Sequence, residues 1–228
     1  MGVLESFPVT EKPGLILASN SPRRRQLLAL TGLPFVVSVA DVDESHLPNE
    51  EPGNYVLRLA ETKSRAVQAE ADQVILAADT TVVDGDDILG KPRDADEAVA
   101  MLTRLRGHTH QVYSGIALLR PGDGLLLKDL CVTDVPMRDY SDEELHAYIA
   151  TGDPLDKAGA YAIQHPQFRP VSRMDGCFAS VMGLPVCHVI LQLRKMNIQP
   201  DTDFFAGCET LLDYRRCPVS NAILNGEM

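Results

Sequence analysis

The sequence predicts an α/β fold, and three observations carry that reading. Short apolar runs end abruptly in polar turns, as in LILA from Leu15 and VILAAD from Val74 to Asp79. Segments with apolar residues at helical spacing alternate with them, opened by Ser or Asp caps. The VILAAD run is continuously apolar, the pattern of a strand covered on both faces.

In the stretch LILASNSPRRRQLLAL, Leu15 to Leu30, the apolar run ends at Ala18 and Ser19-Asn20-Ser21 offers N-cap residues. Pro22 suits the first helical position, and Leu27, Leu28 and Leu30 supply an apolar stripe. The expectation is strand, turn, helix. Arg23, Arg24 and Arg25 then oppose the positive end of the helix dipole, each at a cost of roughly a few tenths of a kcal/mol. A polyanion would reverse that cost, because backbone N–H groups, hydroxyls and guanidinium forks converge on phosphate oxygens. The alternative is a solvated basic run. Adjacent helical residues lie about 100° apart, so the three cannot all reach one ligand and at least one faces water.

Val36 to Val39 is a short apolar run, followed by acidic ADVDES and the turn-rich HLPNEEPGN. NYVLRLAETKSRAVQAEAD places Val56, Leu59, Ala60, Lys63 and Val67 on one helical face. Lys63 interrupts that stripe; such a lysine ordinarily snorkels to water, the alternative being a charge aimed into a cleft. VILAAD puts Asp79 at the end of a buried run, where open α/β sheets keep ligand sites. Thr80 to Val83 continue the strand, and DGDD turns it into ILGK as a hairpin. In DADEAVAMLTRLRG, Asp94 and Glu97 resemble a capping box, and Gly107 closes the helix. His110 to Leu119 and Gly124 to Met137 read as strands joined through PGDG, and Ser141 with Glu144 opens another capped helix. DPLDKAGAYAIQ reads as a loop able to approach a ligand closely. Gly183 to Met196 is expected to be a final helix, and the segment after it lacks a long periodic pattern. The expected organisation is an extension over 1–13, one domain over 14–198 and a tail over 199–228.

Composition excludes several classes. With a formal net charge of -11 over 228 residues, the chain lacks the basic surface that stable nucleic-acid binding needs. No apolar segment is long enough to span a bilayer. The N-terminus has no basic region followed by an apolar core, so a cytoplasmic location is expected. The five cysteines, Cys131, Cys177, Cys187, Cys208 and Cys217, show neither CxxC spacing nor a paired-histidine pattern, which favours thiols over a disulfide framework or a zinc site.

Four separated segments carry groups suited to a nucleoside triphosphate: Ser19, Ser21, Arg23 and Arg24; then Glu44; then Asp79 and Thr80; then Lys91. Cations and helix N–H donors neutralise phosphate oxygens, while carboxylates hold a divalent ion or orient a water. The chain has no P-loop, no GxGxxG fingerprint and no HExxH, which gives no support to a kinase, a P-loop ATPase or a dehydrogenase.

LASNSPRRRQLL, LAADTTVV, LGKPRDADEAVAML, GHTHQVYSGIAL and YIATGDPLDKAGAYAIQ, in that order from about Leu15 to about Leu193, resemble the Maf family of nucleoside triphosphate pyrophosphatases. The resemblance implies a single Maf-like (ITPase-like) α/β domain on an elongated mixed sheet flanked by helices, with a cleft between two lobes and frequently a homodimer. It implies hydrolysis of a triphosphate to monophosphate and pyrophosphate with a divalent cation, Mg²⁺ or Mn²⁺. A part in limiting incorporation of modified nucleotides and a link to cell-division arrest come with it. Asp79 matches the family's proton acceptor, and Ser21 and Arg24 match its phosphate-binding segment. Glu44, Lys63 and Lys91 match its other charged positions, with Glu44 and Asp79 placed as metal ligands.

Arg23, Thr80 and Gln164 together resemble the subgroup acting on dTTP and UTP. A sister subgroup acts on modified nucleotides such as 7-methyl-GTP, and a non-hydrolysing regulator of septum formation is the reading from another class. The chain departs from the family pattern after Gln164, where HPQFRPVSRMDGCF replaces a glycine-rich turn, and in the tail.

Overall fold

The chain enters its sheet through β1 (Leu15–Leu17), turns at Ser19-Asn20-Ser21 into α1 (Pro22–Ala29) and returns as β2 (Phe35–Val37), parallel to β1. The computed structural model describes residues 14–39, 41–171, 173–200, 208 and 217–226. The expected extension over 1–13 and much of the tail lie outside them.

From β2 the chain passes through α2 (Pro52–Ala66) to β3 (Val74–Asp84), which runs parallel to β1 on its other side. The DGDD turn gives the expected hairpin, with β4 (Asp87–Leu89) antiparallel to β3. After α3 (Ala95–Leu105) come the two long strands β5 (Thr109–Arg120) and β6 (Leu125–Pro136). The six-stranded sheet has the order β2-β1-β3-β5-β6 with β4 also on β3. It is therefore mixed, parallel at the β1 end and antiparallel at the β6 end. Beyond β6 lie α4 (Asp142–Ile149), two 3-10 turns (Asp153–Asp156 and Ala158–Ala160), α5 (Phe178–Val181), α6 (Val186–Lys195) and α7 (Ser220–Leu224).

Apolar residues pack on both faces, which is why β3 reads as an unbroken apolar run. On one face α2 lays Tyr55, Val56 and Leu59 against Tyr113 and Leu130. Gly115 permits this: a Cβ there would lie 2.8 Å from the backbone of Val56, so only a glycine lets helix and sheet approach so closely. On the other face Leu27, Leu102, Leu118, Tyr140 and Leu193 belong to one continuous core.

Capping follows the sequence with one correction. Ser141 and Glu144 make a complete capping box on α4. On α3 only half forms: Asp94 Oδ1 accepts from Glu97 N at 2.9 Å, while Glu97 Oε2 accepts from Arg93 N at 2.7 Å. The glutamate reaches one residue past the cap. Two further features differ from expectation. FASV forms α5, a single turn too short for periodicity to reveal. In the tail, α7 places Ile223, 3% exposed, in the main core.

Among the described residues no disulfide forms, and Cys131, Cys177 and Cys187 are buried. The atypical segment after Gln164 is tied down by the ring of Phe168, stacked on Tyr148 at 4.3 Å, and by Arg138, whose guanidinium donates to the carbonyls of Phe168 and Arg169 at 2.7 and 2.9 Å.

Candidate active site

β1 pairs with β3 only over Leu15–Leu17 and Val74–Leu76, and the last link is Ala18 N donating to Leu76 O at 2.8 Å. There β1 leaves for the Ser19-Asn20-Ser21 turn while β3 continues. The flank of β3 at Asp79 and Thr80 is thereby left unpaired on that side, at the carboxyl end of two parallel strands. A cleft of about 640 Å³ opens there. Ser19, Ser21, Arg23, Arg24, Glu44, Lys63, Asp79, Thr80, Lys91 and Gln164 all line it, so residues spread from 19 to 164 meet in one place.

Lys63 sits at its centre. The Nζ lies 2.6 Å from Asp79 Oδ1 and 2.7 Å from Glu44 Oε1. The interruption of the α2 stripe is thus a charge aimed into the cleft, and the snorkelling alternative does not hold. Asp79 is 7% exposed. Burial pushes its carboxyl above the ordinary carboxylate range, against the opposing charges of Lys63 and Arg24. Glu44 sits at the open rim; its partial burial acts upward, but the bond and charge of Lys63, with Lys91 and Arg24, outweigh that and hold it below its usual range. The two carboxylates therefore differ in basicity, the arrangement that separates proton acceptor from electrostatic partner.

Ser21 caps α1, its Oγ accepting from Arg24 N at 3.4 Å. Arg24 turns back over the cleft: Nε donates to Gly183 O at 2.8 Å, Nη1 to Ser19 Oγ at 3.3 Å and Nη2 to Thr80 Oγ1 at 3.5 Å. Enclosure by protein lowers its pKa, and the charge of Asp79 opposes this. Arg23 is half-buried along the wall, and Arg25 is exposed, as the 100° spacing requires of at least one. Gln164 and Lys91 are exposed at the rim.

Sequence reasoning missed several supports. Tyr55 OH donates to Glu44 O at 2.9 Å and stacks on His46 with centroids 3.7 Å apart. Arg58 pins the same segment through Ser45 O at 3.0 Å and Glu50 Oε1 at 2.6 Å. Lys157, 6% exposed, gathers Asp153 Oδ1 at 2.9 Å and Asp156 Oδ1 at 2.6 Å, fixing the turns that lead to Gln164. The density of charge in DPLDK was the available signal.

Among the described residues no cluster of three or more His, Cys, Asp or Glu side chains could enclose a metal. The pair Glu44 and Asp79 suits a cation that takes one or two carboxylates and completes its shell with phosphate oxygens and water, as Mg²⁺ does.

Residues 14–196 match the family model described as Maf-like protein. A dTTP/UTP pyrophosphatase of Geobacter sulfurreducens is 45% identical over 82% of this chain and 98% of its own. Proteins of the same description from Anaeromyxobacter dehalogenans and Hahella chejuensis are 46% and 44% identical, over 80% and 81% of this chain and 94% and 93% of theirs. The match over residues 14–196, together with relatives 44–46% identical over about four-fifths of the chain, shows that the chain belongs to the Maf-like protein family.

Proposed function

We propose that this protein is a nucleoside triphosphate pyrophosphatase that hydrolyses dTTP and UTP to the monophosphate and pyrophosphate. The observation that carries the reading is the Glu44–Lys63–Asp79 bridge facing Arg24 across one cleft. It joins a cation set for a polyphosphate to a buried carboxyl of raised basicity. The similarity of the chain to proteins described as dTTP/UTP pyrophosphatases supports it.

The α1 N-terminus, Ser19, Ser21 and Arg24 hold the triphosphate. Asp79 orients a water and takes its proton as the water oxygen bonds to the α-phosphorus. The bond from that phosphorus to the α–β bridging oxygen breaks, and pyrophosphate leaves with charge offset by Lys63 and Lys91. Glu44 and Asp79 would hold Mg²⁺ or Mn²⁺, which when bound supplies further neutralisation of the phosphate oxygens. Arg23, Thr80 and Gln164 face the base, whose O2, N3–H and O4 edge suits amide, hydroxyl and guanidinium partners. Action in the cytoplasm fits such a substrate, and among the described residues no helix is long and apolar enough to cross a membrane.

The test is pyrophosphate release from dTTP, UTP, CTP, GTP and 7-methyl-GTP with Mg²⁺ or Mn²⁺. Preference for dTTP and UTP is the expected result. A preference for 7-methyl-GTP would move the protein to the sister activity, and nucleotide binding without turnover in either metal would make it a regulator.

A further inference from the structure

Ser114, in β5 and fully buried, has a hydroxyl with a single proton. That proton goes to Ser180 O at 2.7 Å, since a carbonyl oxygen can only accept. The 2.8 Å contact between Ser114 Oγ and Thr80 Oγ1 therefore runs the other way, with Thr80 donating. Thr80 is left facing the cleft with lone pairs alone, toward one of which Arg24 Nη2 reaches at 3.5 Å. The Ser180 carbonyl is itself fixed: it also accepts from Gly183 N at 2.9 Å, and Ser180 Oγ is turned away to Cys177 O at 2.7 Å.

We propose that Ser114 is a positioning residue that makes Thr80 an obligate acceptor, so that the cleft selects a base presenting N3–H, as uracil and thymine do, over the bare N3 of cytosine. The inference rests on the reading that a pyrimidine nucleoside triphosphate occupies the cleft. A lone pair of cytosine set against a lone pair of Thr80 leaves two acceptors facing each other, and sites built around a polar partner reject a mismatched edge strongly.

The experiment measures binding of the non-hydrolysable α,β-methylene analogues of UTP and CTP to the full chain with Mg²⁺, so turnover is not required. The wild type is expected to favour the UTP analogue by about tenfold or more. In Ser114→Ala, Thr80 regains the freedom to donate; the CTP analogue tightens and the ratio falls to about threefold or less. Thr80→Val reaches the same low ratio by weakening the UTP analogue instead, a pattern that general loosening of the fold would not produce. An unchanged ratio in Ser114→Ala, or equal binding of both analogues by the wild type, would overturn the proposal. Failure of the pyrophosphatase reading shows separately, as UTP left intact by a protein that still discriminates the analogues.

Discussion

Two buried titratable groups set pH dependences at the residue scale, Asp79 in the cleft and His110 in the core. Because burial raises the Asp79 carboxyl, its titration in the metal-free protein, followed by carboxyl ¹³C NMR, should fall above the ordinary aspartate value of about 3.9. A midpoint at or below that value would contradict the assignment. His110, 2% exposed, bonds Tyr161 OH through Nε2 at 2.8 Å, and burial lowers its pKa from 6.5 to about 4. Between those values the unfolded chain holds a proton that the native state refuses. The His110 contribution to stability is therefore fully present above pH 6.5 and lost as pH falls toward 4, by about 3 kcal/mol in total. Urea midpoints across pH 4 to 7 should show this slope in the wild type and its loss in His110→Gln.

At the scale of elements, the approach of α2 to the sheet determines whether Lys63 reaches Asp79. Gly115 stands directly opposite Asp79 in the β3–β5 register, beneath the backbone of Val56 and Leu57. Gly115→Ala should force α2 outward, costing about 1–3 kcal/mol in urea denaturation and lowering activity by displacing Lys63. Full activity in that variant would mean that the contact is slack. This coupling was invisible in the sequence, where Gly115 was one glycine in a strand. What the sequence did make legible were features with local physical causes: the Ser21 and Ser141 caps, the buried VILAAD run, the DGDD hairpin. Lys63 was ambiguous because a lysine on an apolar stripe has two outcomes, and only the strand brought opposite it decides between them. α5 was hidden because a single turn shows no periodicity and its ties run from Ser180 to Ser114 and Thr133, distant in sequence.

The molecule as a whole sets the start of α1, with Ser19, Ser21 and Arg24, beside a carboxylate-bearing strand at the point where β1 ends and β3 runs on. The C-terminal α7 closes the core behind them. Ile223→Ala should therefore destabilise the fold by about 2 kcal/mol or more while leaving kcat unchanged, measured by thermal unfolding and turnover together. The charged cleft was legible in the sequence as scattered segments, and the similarity of the motifs gave them one purpose; their convergence depended on the path from β1 through α1, β2 and α2 to β3. The most direct test of the account is hydrolysis of UTP in ¹⁸O-labelled water by the wild type and Asp79→Asn. The account predicts pyrophosphate equal to UMP, the label in UMP, and turnover reduced about 10²- to 10⁴-fold in the variant. Orthophosphate with UDP, label in the released phosphate, or undiminished turnover by Asp79→Asn would contradict it.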